Sequence, residues 1–188
     1  MLVIAGSGRG AGKTAVGCAL IAALPELSWM AVKVSPHWHD TGKDLWEELD
    51  FCSEKDTGRY LAAGARRAFL VSGAEDLRAA ELVLEARGRA SQCNALLVES
   101  NRIAAGVVTN PGEAAVSIAM LAGVEAEWKT SLLESAGMAD ALVLANGVSR
   151  EEFTSPFLRK PIFELAAGQW SSPELIKFVR ARLLSLHD

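Results

Sequence analysis

A chain of 188 residues, half of them apolar, is long enough for one substantial core and sits near the upper end of single-domain size. Its net charge of −4 offers no broad attraction for DNA, RNA or an anionic membrane surface, which argues against nucleic acid as the main partner. Cys18, Cys52 and Cys93 are odd in number, widely spaced and without a Cys-x-x-Cys pair, which argues against a disulfide framework or a zinc cage and fits a reducing cytoplasm.

The first apolar run, 2–5, predicts a buried strand and is too short for a signal peptide. It leads into Gly-Ser-Gly-Arg-Gly-Ala-Gly-Lys-Thr at positions 6–14, and residues 13–24 predict a helix. Strand, glycine loop and helix in this order form the layout of a phosphate-binding loop. A triphosphate is held where many backbone N–H groups converge without side chains in the way, as residues Ser7, Gly8, Arg9, Gly10, Ala11, Gly12, Lys13, Thr14 and Ala15 allow. Lys13 is expected between the terminal phosphates, and the Thr14 hydroxyl on the accompanying Mg²⁺. Ser7 stands where the strict pattern has glycine, a mild departure for a small residue.

Further buried strands are predicted at 29–34, 68–71, 95–99, 114–121, 141–145 and 161–165, with helices at 56–65, 74–87, 130–138 and 173–186. The last helix opens with Ser172 as cap, Pro173 in the first turn and Glu174 at the positive end of the dipole. Apolar runs buried on both faces and separated by helices predict a mainly parallel sheet with helices on both sides, one α/β domain over residues 1–188. No run approaches the ~20 apolar residues that span a bilayer. Residues 35–55 are left without an assignment, and Asp44, Glu47 and Glu48 within them read as a solvated helix face.

Ligands of such sheets bind outside the carboxyl ends of the strands, where polar residues gather. Glu99 ends a buried strand and is placed to hold Mg²⁺ through water or to orient an attacking water; Asp40, after the second strand, is the other acidic candidate for the metal shell. His37 and His39 point to one side if extended, toward phosphate or a second ligand, or else are surface histidines; a metal would need a third ligand such as Asp40 or Cys52. Asp56 is expected to cap the next helix, Arg59 to reach an anionic substrate or a neighbouring subunit, and Arg66 and Arg67 to extend that basic edge. Trp38 and Trp46 stack on a ligand or pin the loop, whereas Trp29, Trp128 and Trp170, with Cys18 and Cys93, read as core.

The phosphate loop 7–14, Lys33-Val34-Ser35-Pro36-His37-Trp38-His39-Asp40, the segment Lys55–Ala65 and Leu97-Val98-Glu99-Ser100-Asn101 together resemble the molybdopterin-guanine dinucleotide biosynthesis protein B (MobB) family. The resemblance covers roughly the first hundred residues by order and spacing. It implies the three-layer P-loop NTPase fold, Mg²⁺-dependent GTP binding with slow hydrolysis, a role beside a molybdenum-cofactor biosynthesis enzyme, and commonly a homodimer. Guanine-specific relatives carry Asn-Lys-x-Asp after a late strand, where this chain reads Asn146-Gly147-Val148-Ser149. Asn146 is then a base contact without the lysine and aspartate, and GTP or ATP both stay open. An ATP-dependent small-molecule kinase or a ligase resembling dethiobiotin synthetase, and a non-catalytic nucleotide switch, are the alternative readings.

Overall fold

Successive residues of a strand point to opposite faces, so a strand that is apolar throughout must meet a core on each side. Leu2, Ile4, Ala31, Leu97, Ile118 and Val143 enter one core with Val16, Leu20, Tyr60, Leu175 and Val179. Their strand neighbours Val3, Val32, Phe69, Val71 and Val98 enter a second, with Ala79, Leu82, Val83 and Ala86. The computed structural model describes residues 1–8, 10–39, 41–101, 103, 113–122, 134, 136–145, 148–150 and 159–184.

Eight strands form one sheet: β1 (Leu2–Gly6), β2 (Trp29–Ser35), β3 (Leu45–Glu48), β4 (Arg67–Ser72), β5 (Ala95–Glu99), β6 (Val116–Leu121), β7 (Ala141–Leu144) and β8 (Ile162–Glu164). Among the described residues the complete helices are α1 (Lys13–Ala23), α2 (Asp56–Ala62), α3 (Asp76–Arg89) and α4 (Pro173–Leu184). The spatial order is β3-β4-β2-β5-β1-β6-β7-β8, parallel except for β3. Helices α1, α2 and α4 cover one face and α3 the other, the α/β arrangement expected from the apolar runs.

The elements end where local chemistry ends them. Helix α2 stops three residues short of the predicted boundary because Gly64 takes φ +109°, with Ala65 N–H on Tyr60 O and Gly64 N–H on Leu61 O closing a Schellman turn. At α4 the Ser172 hydroxyl accepts the Leu175 N–H at 3.2 Å, as the cap requires. Of the predicted helix 130–138 only positions 134 and 136–138 are described, and those are helical.

Strand β3 corrects the reading of residues 44–48 as a solvated helix face. It pairs antiparallel with β4, Leu45 opposite Val71 and Glu48 opposite Ala68, at the sheet edge. Glu47 forms a salt bridge with Arg67 at 2.5 Å. Glu48 is buried because its carboxylate accepts the N–H groups of Leu49 and Asp50 and the Thr57 hydroxyl. Arg67 therefore belongs to the amino end of β4 and its edge partner; it does not extend a basic edge at the strand carboxyl ends.

Trp29 is 1% exposed and donates its indole N–H to Leu24 O, which seats it as core. Cys18 and Cys93 pack against the cores from partly buried positions, and burial pushes the Cys18 thiol up to about 11. No helix among the described residues is long and apolar enough to cross a membrane.

Leu97 is fully buried in β5 between β1 and β2, so its truncation leaves a cavity in the middle of the sheet. Leu97→Ala is predicted to destabilise by about 2–5 kcal/mol in urea unfolding. Leu77→Ala, at an 81% exposed position of α3, should stay within about 0.5 kcal/mol.

Candidate functional site

The glycine loop lies between β1 and α1, at the carboxyl edge of the sheet, and is anchored from three sides. The Gly6 N–H donates to Asn101 Oδ1 at 2.9 Å and the Ser7 N–H to Met120 O at 2.9 Å. The Ser7 hydroxyl and the Ala122 backbone exchange hydrogen bonds, so the one departure from the strict loop pattern is tied to the strand end next door. A side chain added at Gly8 or Gly10 would meet nothing within 4 Å, which leaves open space over the middle of the loop. Lys13 folds back across it, donating from Nζ to Gly8 O at 2.7 Å.

Gly12 is the most constrained loop position. Its φ is +88°, and a Cβ there would lie 2.3 Å from Cζ3 of Trp170. Trp170 follows β8 and packs half-buried on both the first core and the loop. Its assignment as core is right as far as it goes, but its ring also forms a wall of the site.

Strand register sets the charged centre. Glu99 on β5 stands beside Lys33 on β2 and beside Ile4 on β1, so the acid and the ammonium share the face covered by α1 and α2. The buried Glu99 carboxylate takes three donors: Thr14 Oγ1 at 2.8 Å, Tyr60 OH at 2.5 Å and Lys33 Nζ at 2.8 Å. Lys33 Nζ also reaches Asp56 Oδ2 at 2.5 Å, and Arg59 stands 3.5 Å from the other Asp56 oxygen. Tyr60 enters beneath α1 because Gly17 makes room for its ring; a Cβ at Gly17 would lie 2.9 Å from Tyr60 Cε1.

Burial opposes the charge on Asp56, but the Lys33 hydrogen bond and charge, the Thr14 hydroxyl and Arg59 outweigh it and hold the carboxyl below its ordinary 3.8. Burial also opposes the charge on Lys33, and the carboxylates of Glu99 and Asp56 more than restore it, raising its pKa. Lys13 is lowered, mainly by burial, with Glu99 opposing and Lys33 adding to the effect. Burial, followed by the Glu99 charge, raises the Tyr60 phenol well above 10, so Tyr60 stays a donor.

Lys13, Thr14 and Glu99, singled out from the sequence, thus meet at one point. Lys33, Asp56 and Tyr60 join them unforeseen. Asp56 does not cap α2, whose N-cap is Lys55 without a side-chain cap bond. The missed signals are a lysine interrupting the apolar run 29–34 and the only tyrosine of the chain. Arg9, Asp40 and Asn146 lie outside the described residues, as do Trp128 and Gly147. Ala15 sits in the first turn of α1.

His37 and His39 are exposed at the carboxyl end of β2, where His39 Nε2 and the Ser35 hydroxyl are 2.9 Å apart. Among the described residues no three His, Cys, Asp or Glu side chains converge as a metal would need. Trp38 is 61% exposed and seats one face on Gly73, at whose Cβ position its ring atom Cε3 would be 2.4 Å away. Beside it an open cleft of about 860 Å³ is lined by Lys43, Asp44, Glu75 and Arg78 among others. Trp46 lies half-buried in β3, with Lys55 Nζ 5.3 Å from its ring centre.

This architecture is the P-loop NTPase fold, and solved structures share it. The hydrogenase maturation factor HypB from Archaeoglobus fulgidus superposes with a TM-score of 0.64 at 19% identity, over 97% of this chain and 89% of that one. HypB from Helicobacter pylori, in complex with nickel, gives 0.55 at 15% identity, over 98% and 85%. LpxK from Aquifex aeolicus, in complex with ATP, gives 0.52 at 18% identity, over 87% of this chain and 52% of that one. At these identities the likeness establishes the fold. No family model matches the sequence, and no curated protein does.

Gly12→Ala is predicted to lower the thermal midpoint through both the positive φ and the clash with Trp170; adding Trp170→Ala should restore only part, because the backbone strain stays. Since Asp56 is depressed in the folded protein, its contribution to stability is present above pH 3.8 and is lost as the pH falls through the lower folded value. Acid unfolding of wild type should therefore be steeper below that pH than that of Asp56→Asn, followed by circular dichroism.

Proposed function

We propose that the chain is a Mg²⁺-dependent nucleoside triphosphate binding protein that hydrolyses its nucleotide slowly. The observation that carries this reading is the meeting of Lys13, Thr14, Asp56 and Glu99 at the head of α1 beside an anchored glycine loop. The loop amides and Lys13 bind the phosphates and stabilise the charge that develops on them. A hydroxyl and two carboxylates, already bridged by one ammonium, form the hard oxygen set that suits Mg²⁺, whose chemistry is to neutralise the terminal phosphates. Thr14 and Glu99 hold the metal in this reading, Asp56 joins them, and Asp40 is a further candidate for the shell. Glu99 also orients the attacking water, with Tyr60 fixing its position. Arg9 is proposed to touch phosphate, and Asn146 to contact the base, guanine of GTP or adenine of ATP.

The MobB-like segments, together with two neighbours named as HypB, one of them a hydrogenase maturation factor, favour a role in assembling a metal cofactor beside a molybdenum-cofactor biosynthesis enzyme, with the chain as a homodimer. A second reading is transfer of a phosphoryl group to a small acceptor seated near His37 and His39, exposed at the carboxyl end of β2, and near Arg59 beside Asp56. The neighbour LpxK, solved with ATP, has the same fold.

Phosphate release from Mg·GTP and Mg·ATP tests the proposal. Wild type should turn over below about one per minute, as intrinsic activity without a supplied arginine does. Lys13→Ala should fall to the buffer background, and Glu99→Gln should lose the dependence on Mg²⁺. Release from Lys13→Ala equal to wild type would contradict the assignment.

A further inference from the structure

Lys33 is the residue of this cluster that a phosphate site does not require. Its ammonium lies 2.8 Å from Glu99 Oε1 and 2.5 Å from Asp56 Oδ2, held between two carboxylates that also face the Thr14 hydroxyl. A divalent cation that draws on both carboxylates must take the place this ammonium fills. We propose that Lys33 is an internal cation that occupies the divalent-metal position, so that the metal enters by exchange with it and binds well only together with the nucleotide.

The inference rests on the nucleotide reading above. Its physical basis is charge balance in a half-buried place. Lys13 and Lys33 face Asp56 and Glu99, with Arg59 at the rim, so the cluster is compensated before any ligand arrives. Metal entering alone would release a half-buried ammonium beside Lys13 with no new anion to meet it, and two like charges at close range oppose each other. A triphosphate entering with the metal supplies that anion. The lysine stem is four carbons long and turns freely enough to carry its ammonium from the carboxylates to a phosphate oxygen. Glu99 keeps the Thr14 and Tyr60 hydroxyl donors throughout, so the carboxylate is never left bare.

Coupling of this kind is reciprocal: if nucleotide raises metal affinity, metal raises nucleotide affinity by the same factor. Lys33 thereby acts as a positioning residue that makes the site respond to the complex of the two.

Mn²⁺ titration of the purified protein, followed by electron paramagnetic resonance of the free ion, reads this directly. Lys33→Met should bind Mn²⁺ without nucleotide at least roughly tenfold more tightly than wild type, and Lys33→Arg should stay at the wild-type level. ATP should raise Mn²⁺ affinity by a larger factor in wild type than in Lys33→Met. Equal or weaker Mn²⁺ binding by Lys33→Met would overturn the proposal. Should that variant fail to fold, a crystal structure of wild type with Mn²⁺ and ADP decides: Mn²⁺ on Asp56 and Glu99 with Lys33 moved off both supports it, and Lys33 still bridging them overturns it. Failure of the nucleotide reading would show separately, as wild type binding neither ATP nor GTP in a Lys13-dependent way.

Discussion

The burial of the Glu99 carboxylate is the constraint on which the site depends. A carboxyl group this deep in the sheet is stable only if its oxygens are engaged, and here a hydroxyl from α1, a phenol from α2 and an ammonium from β2 do so. Each of those partners comes from a different element. The carboxylate therefore fixes how α1, α2 and β2 sit relative to β5, as well as what chemistry their meeting point can support. Gly17 fits this account: a glycine inside a helix is locally unfavourable, yet it is what lets Tyr60 reach the acid.

The glycine loop complements this centre. Its start is held at strand ends, by Asn101 and Met120 through the Gly6 and Ser7 N–H groups and by Ala122 through the Ser7 hydroxyl, so the sheet fixes where the loop begins. Trp170 closes the side at Gly12. Preorganisation of this kind is what binding of phosphates by dipoles needs, because donors already in place have no ordering cost left to meet when the ligand arrives.

Much of the fold could be read along the chain, because parallel strands buried on both faces announce themselves as apolar runs bounded by turns. Strands β1, β2, β4 and β5 stand within a residue of their predicted bounds. Strand β3 could not be read, since an edge strand tolerates charges and Leu45-Trp46-Glu47-Glu48 carries two. Within the site, Lys13 and Thr14 were legible from a local motif and Glu99 from an acid ending an apolar run. Lys33, Asp56 and Tyr60 were not, because their contacts with Glu99 and with each other depend on strand register and on helix packing across separations of tens of residues. Asp56 misled in a specific way: an acid opening a helix looks like a cap, and only the neighbouring strand shows that its partner is Lys33.

In the proposed function, loop and carboxylate cluster together form one site for a nucleoside triphosphate. Calorimetric titration of the purified protein with Mg·GTP and Mg·ATP, with Lys13→Ala as the control, tests it most directly. Saturable binding of at least one of the two, lost in Lys13→Ala, is the expected result. Absence of binding by wild type, or binding that Lys13→Ala leaves unchanged, would contradict it.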